Sequence, residues 1–372
     1  MLARDNDKVI GMQLGFFTMP IHPLDKDWRV SLREDREAFV LADELGFSEA
    51  YCGEHSTDAA ENITSSAMFL ATLVDQVRQM RLGTGTVNLP NSHPVRIAAE
   101  IALLDHLLEG RFNFGISPGG LPSDAEVYGN LGSARGEMFI ECIEQVLEIW
   151  RSKPPYEIHG KYWTISTART LIEDIGQGVL PKPLQRPHPP ILTTVVSPFS
   201  ASATQAGERG WDIISANFLL PQWVKTHWTK YAGGCALGER RAVSSRWRVA
   251  KSVFVADDAT TARAYAVGPQ SPYRFYYGQL LTKMLKAGRA VIFKPNPNLP
   301  DDSVTLDDVC ERLIIHGTPD RVADEIIKFR EEIGPFGTVL YAGHDWRDPT
   351  LARRSMALMA EKVLPLVNAA GA

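Results

Sequence analysis

Three short stretches of this sequence carry residue types whose spacing suits chemistry. In Tyr51-Cys52-Gly53-Glu54-His55-Ser56 a carboxylic acid adjoins an imidazole. Histidine titrates near neutral pH unaided, so such a pair suits acid–base work. Equally, Glu54 could pair with a neighbouring cation while His55 packs. In Val195-Val196-Ser197-Pro198-Phe199-Ser200-Ala201-Ser202 a cluster of serines stands before a helical segment. Hydroxyls and free amides at a helix N-terminus form an anion site, and one serine would suffice for a cap. The pattern therefore favours a monoester phosphate at this segment over ordinary capping by one serine. In Ser117-Pro118-Gly119-Gly120 a strand runs into two adjacent glycines. A Walker loop needs Gly-Lys-Ser/Thr leading straight into a helix, and neither lysine nor helix is expected here. A dinucleotide fingerprint needs glycines opening a helix, whereas Pro118 and Pro122 bracket this turn. Two readings remain: a plain turn, or bare backbone against a flat ligand. Gly85-Thr86, inside LGTGTVNL, poses the same choice between a ring lying on the main chain and a glycine facing a bulky neighbour. The sequence holds no histidine pair at metal-ligand spacing, so no metal is expected.

The elements that must position these residues alternate along the whole chain. Apolar runs predict strands at Met12–Phe17, Ala50–Gly53, Leu82–Leu89, Arg111–Ser117, Ile191–Val196, Trp211–Ser215, Trp247–Ala256 and Gly337–Ala342. Helical periodicity lies between them, as with Ile97, Ile101, Leu104 and Leu108 after Pro94. Gly85 within the third strand suggests a bulge. Eight strands each followed by helical sequence predict an α/β fold, a single (β/α)8 TIM barrel with insertions, ahead of an open doubly wound sheet. The expected domain is residues 1–372, with excursions near 151–190 and 268–304. The second is rich in breakers, FKPNPNLPDD, and reads as a lid or mobile loop. In a barrel, chemistry sits at the C-terminal strand ends, where the three stretches fall.

Bulk composition removes several alternatives. The 372 residues are 44% hydrophobic and 22% charged, with a net charge of −5 and no basic block, which argues against nucleic acid. The start, MLARDNDKVIGMQLGFF, lacks a signal-peptide pattern, and no apolar run reaches membrane-spanning length. Cys52, Cys142, Cys235 and Cys310 lie far apart without a C-x-x-C pair, so reduced thiols and a cytoplasmic location are expected.

Taken in order, these pieces resemble the bacterial luciferase-like flavin-dependent monooxygenases, in particular the limonene monooxygenase and luciferase α-subunit branch. The most specific block is LGTGTVNLPNSHPVRIAAEIALLDHLLEGRFNFGISPGG, Leu82 to Gly120. Glu54-His55 after GFSEAYCG, SPFSASATQAGERG and HGTPDRVADEI follow the family pattern as well. The resemblance implies catalytic roles for His55 and Glu54, with His55 handling protons around the flavin–oxygen chemistry. It implies that Gly85 and Thr86, often joined by a non-prolyl cis peptide, back the flavin ring. Ser117 and Gly119 would lie at the ring, and Ser197, Phe199, Ser200 and Ser202 would fall in the segment that takes the phosphate. Ser56 stands where many members carry a second histidine, and Pro118 where luciferase carries a phosphate-binding arginine. The cation that balances the phosphate is therefore not identified by sequence.

The implied activity is that of a two-component oxidoreductase. Reduced FMN (FMNH2) would come from a separate NAD(P)H-dependent flavin reductase, since no second nucleotide fold is evident. With O2 it would oxygenate a small, largely apolar molecule of the terpene, ketone or aldehyde class. Tyr273 to Tyr277 would suit such a pocket or the core beneath a lid. A homodimer is implied too. The alternatives are a deazaflavin (F420)-dependent oxidoreductase on the same barrel and a non-catalytic flavin-binding subunit.

Overall fold

The computed structural model describes residues 11–19 and 21–371. The first ten residues, expected to hold no signal peptide, lie outside the described residues. Eight parallel strands close into a barrel: β1 (Gln13–Thr18), β2 (Glu49–Cys52), β3 (Arg81–Thr84), β4 (Phe112–Ser117), β5 (Ile191–Val195), β6 (Asp212–Ser215), β7 (Trp247–Val255) and β8 (Thr338–Gly343). Each pairs with the next, and β8 returns to β1 with Gln13 opposite Thr338 and Thr18 opposite Gly343. All eight expected strands are present, each within two residues of its expected start, and the barrel replaces the open sheet. A ninth parallel strand, Ile314–Gly317, adds to the C-terminal half of β7.

Two apolar layers hold the barrel. Phe17, Tyr51, Leu192, Ile214, Ala250 and Leu340 project from six strands into the lumen and fill it. A much larger cluster, including Phe39, Ile101, Phe114 and Trp150, fills the space between strands and outer helices. At the N-terminal end of the lumen Arg248 donates to Glu49 at 2.7 Å and to Asp212 at 2.8 Å. Tyr51 donates to the other Glu49 oxygen at 2.6 Å, which completes a buried charged network. Burial opposes ionisation of Glu49, but the Arg248 charge outweighs it and holds the carboxyl below its usual range.

The third expected strand ends early. It stops at Thr84 and resumes only at Val87–Asn88, after which a 3-10 turn covers Leu89–Asn91. Between the pairs Gly83–Asn113 and Val87–Ile116 this strand spends four residues against three on β4, so the bulge suggested by Gly85 is present. The second excursion also departs from expectation. It is not irregular throughout: Pro272–Lys286 is a helix of 15 residues, capped by Ser271, whose hydroxyl accepts from the Tyr273 and Arg274 amides. The breakers begin only after it. The first excursion holds a small hairpin, Glu157–His159 with Thr164–Ser166. No helix of the described residues is long and apolar enough to cross a membrane.

Candidate active site

The loops after β1, β2, β4 and β8 meet at the C-terminal mouth. Their residues are drawn together by buried charge. His55 follows β2 at once, and its Nδ1 lies 2.8 Å from Oδ2 of Asp124, with a side chain 12% exposed. The Asp124 carboxylate also accepts from the Ser56 amide at 3.1 Å and the Thr57 hydroxyl at 2.6 Å. On the other side of the ring, Nε2 faces Oε2 of buried Glu61 at 3.7 Å. Burial opposes a charge on His55, but the Asp124 bond and the Glu61 charge outweigh it and raise its pKa. Burial likewise opposes ionisation of Asp124, yet the bonds from His55 and Thr57 depress its pKa. Both shifts favour the imidazolium–carboxylate pair over the neutral one, with Nδ1 bound to Asp124 and Nε2 turned toward Glu61.

Asp124 was not legible as a partner, because the turn at Gly119-Gly120 reads as leading to no helix. That expectation fails: Pro122–Val127 is a short helix beginning at the proline. Proline at the first helical position was the available signal. Glu61 is tied from outside by Lys283 of the Pro272–Lys286 helix, at 2.9 Å, and Lys283 also pairs with Asp58. The second excursion thus covers the loop that carries His55. Its Tyr273, Tyr276 and Tyr277 are buried and bond to Val253, Asn217 and Ser252, so they belong to the packing beneath this helix.

Glu54 occupies a different environment. Its Oε2 accepts from the Ser66 amide at 2.9 Å and the Ser66 hydroxyl at 2.7 Å, and Oε1 accepts from the Asn88 amide at 3.1 Å. Burial pushes its pKa up despite these donors. Both oxygens are engaged with backbone and hydroxyl donors, and no cation pairs with it among the described residues. Asn88 links this carboxyl to the next strand end, because its Nδ2 donates to the Glu54 carbonyl while its Oδ1 accepts from Ser117 at 2.9 Å. Thr86 in turn donates to the Ser117 hydroxyl at 2.7 Å. One polar chain therefore joins Glu54, Asn88, Ser117 and Thr86 along the floor of the mouth.

Gly85 and Thr86 are joined by a cis peptide. A Cβ on Gly85 would come within 3.0 Å of Phe17 and Tyr51, so this glycine does face bulky neighbours in the lumen. Gly119 has a left-handed φ of +79°, and a Cβ there would meet Arg135 Nη2 at 2.5 Å. Arg135 donates to the Pro118 carbonyl at 2.5 Å. Arg135 thus places a guanidinium beside this turn, next to the proline that stands where luciferase carries an arginine. The Gly119 turn ends β4, whose neighbour β5 leads into the serine segment.

In that segment Ser200 stands at the N-cap of helix Ala201–Arg209 without a side-chain cap bond. Its hydroxyl instead lies 2.8 Å from the Ser202 hydroxyl. Ordinary capping by one serine is thus not what these side chains do. The loop is fixed from behind, where His227 Nε2 donates to the Ser197 carbonyl and the Phe199 amide donates to Thr226. Burial drives the His227 pKa down to about 4, so the ring is a neutral brace. Phe199 itself is exposed at a left-handed φ of +52°. Beside the mouth His22, Glu34 and Asp345 lie close enough together for a metal, but Lys26 bonds Glu34 at 2.6 Å and Asp345 at 2.5 Å. The lysine already supplies the positive charge there.

Residues 12–335 match the family model of the luciferase-like monooxygenases. The chain belongs to that family. It is 30% identical to limonene 1,2-monooxygenase of Rhodococcus erythropolis over 366 residues, covering 96% of this chain and 87% of the relative. It is 29% identical to 4-hydroxyprotoasukamycin monooxygenase of Streptomyces nodosus subsp. asukaensis over 358 residues, covering 96% and 92%. Among solved structures, the oxygenating constituent of 3,6-diketocamphane monooxygenase from Pseudomonas putida, a type II Baeyer–Villiger enzyme in complex with FMN, superposes with a TM-score of 0.86. The identity is 25%, and the match covers 96% of this chain and 98% of that one. The luciferase-like chain described here is accordingly an oxidoreductase of the monooxygenase class, built on the barrel that its sequence pattern predicts.

Proposed function

We propose that this chain is the oxygenating component of a two-component system, receiving reduced FMN from a separate NAD(P)H-dependent reductase and oxygenating a small, largely apolar organic molecule. The observation that carries the reading is the joint presence, at one barrel mouth, of an uncapped serine pair and a shielded His55–Asp124 donor. The serine pair suits a phosphate because its hydroxyls lack a capping duty and it opens a nine-residue helix. Ser197, Ser200 and Ser202 with Arg135 would hold the phosphate, and Phe199 would cover it. Thr86 and Ser117, with the Gly85 and Gly119 backbones, would line the ring. Bound reduced FMN supplies the two electrons needed to activate O2. The chain's own work is to exclude water and to place one proton. His55 would donate it from Nε2, while Asp124 holds the ring and keeps it charged. Glu54, engaged by Ser66 and Asn88, would act as a positioning residue that ties the His55 loop to Ser117. The neighbour's description as an oxygenating constituent supports a partner reductase.

A homodimer is supported by Met68, Leu103 and Leu107, exposed apolar residues on the neighbouring helices Ser66–Ala71 and Pro94–Leu107. Four buried cysteines without disulfides fit a reducing compartment, the cytoplasm.

Anaerobic fluorescence titration tests the reading. Reduced FMN should bind more tightly than oxidised FMN and more tightly than a reduced deazaflavin. A preference for the deazaflavin would move the chain to hydride transfer. Tight flavin binding without turnover of any terpene, ketone or aldehyde, with a reductase present, would reduce it to a binding subunit.

A further inference from the structure

A cavity of about 790 Å³ shares no lining residue with the candidate site described above. It lies where the ninth strand ends at His316-Gly317, between helices Ala259–Val267, Leu306–Leu313 and Pro319–Ile333. Its charge does not cancel. Arg263 pairs with Glu311 at 2.5 Å and Arg274 with Asp307, but Arg321 makes no ion pair among the described residues. The 15-residue helix Pro319–Ile333 begins beside it, and Thr318 at its N-cap makes no side-chain cap bond. No cap side chain bonds its first amides, although Asp320 stands in the first turn.

The independent sign of a ligand is His316. It lines this cavity, is 7% exposed, and its ring nitrogens, which open to the cavity, bond to no group among the described residues. A mostly enclosed imidazole with its nitrogens free toward a cavity offers a donor to whatever occupies that cavity. Burial, with Arg321 and Arg263 nearby, lowers its pKa. An anion would answer all three features, accepting from the imidazole, from Arg321 and from the helix amides. The cavity is far larger than an inorganic ion needs, and part of its lining is Ala259, Ala264 and Val267. Its size falls in the range of small-molecule sites. We propose that it binds a phosphorylated organic molecule, the phosphate resting between Arg321, His316 and the start of Pro319–Ile333 and the organic part lying on the apolar wall.

The test is calorimetric titration of inorganic phosphate and phenyl phosphate into FMN-saturated protein at constant ionic strength. Both should bind, phenyl phosphate more tightly. Arg321→Ala and His316→Leu should each weaken binding about tenfold or more, the usual worth of a charge-assisted contact to phosphate. Arg321 is exposed, so its variant tests the site even if His316→Leu fails to fold. Ser202→Ala, at the mouth, should leave this binding unchanged. Absence of saturable binding, or binding sensitive to Ser202→Ala but not to Arg321→Ala, would overturn the proposal. Equal affinity for the two probes would overturn the organic-phosphate assignment. FMN binding that fails while phenyl phosphate still binds in the Arg321-dependent way would count against the flavin reading alone.

Discussion

Replacing His55 by alanine should separate proton donation from scaffolding. The side chain is mostly enclosed but makes its principal contacts with carboxylates rather than with the apolar core. Its loss removes one charge-assisted bond, to Asp124 at 2.8 Å, while Asp124 keeps its donors from Ser56 and Thr57. Such a bond is worth about 1.5–3 kcal/mol, against a typical domain stability of about 5–15 kcal/mol, so the variant should fold. The phosphate segment lies after β5, on another part of the mouth, and flavin affinity should be nearly unchanged. The oxygenation rate should fall by ~10²–10⁴-fold, or about 3–5 kcal/mol, the usual contribution of a positioned proton donor. The assay supplies reduced FMN from a generic reductase and follows product and hydrogen peroxide together, using whichever terpene, ketone or aldehyde the wild type oxygenates. Peroxide should rise as product falls, because reduced flavin still meets oxygen at a site that no longer places the proton. A folded His55→Ala protein with unchanged rate and unchanged peroxide yield would refute the assignment. Joint loss of thermal stability and flavin affinity would show a packing role instead.

Three further outcomes follow from the same geometry. Because the His55 pKa is raised, its protonated form and the stability it confers are fully present below the unfolded value near 6.5 and are lost as pH rises through the folded value. Activity should have the same alkaline limb, and Asp124→Asn should move it to lower pH; a limb at the same pH in both proteins, read from kcat/KM, would contradict donation by His55. Arg135→Ala should weaken FMN binding by about tenfold or more without weakening riboflavin binding, since only FMN carries the phosphate. Equal losses for both ligands in fluorescence titration would show that Arg135 only braces the Pro118 turn. Arg248→Met strands Glu49 and Asp212 inside the lumen and should cost about 3–5 kcal/mol in denaturant unfolding, while Glu49→Gln and Asp212→Asn added to it should recover part of the loss.

The sequence by itself determined the barrel and the neighbourhood of its site. Each strand announces itself as a short apolar run between helical stripes, because strand and helix bury side chains with different periods. Closure then brings the ends of these strands to one mouth, which is where His55, Ser117 and Ser200 stand as candidates, at or just beyond strand ends. What those residues touch was decided by tertiary structure. Asp124 is 69 positions from His55, and Lys283 is 222 from Glu61, and no local pattern relates such pairs. The same holds for Arg135, which reaches back from the start of another helix to the Pro118 carbonyl. Glu54 shows the converse. Adjacent to His55 in sequence, it turns to Ser66 and Asn88, because neighbouring residues at a strand end need not point the same way. Residue type and strand position are local properties and can be read along the chain. Pairing of buried charges depends on which loops closure places side by side, and only the folded barrel specifies that.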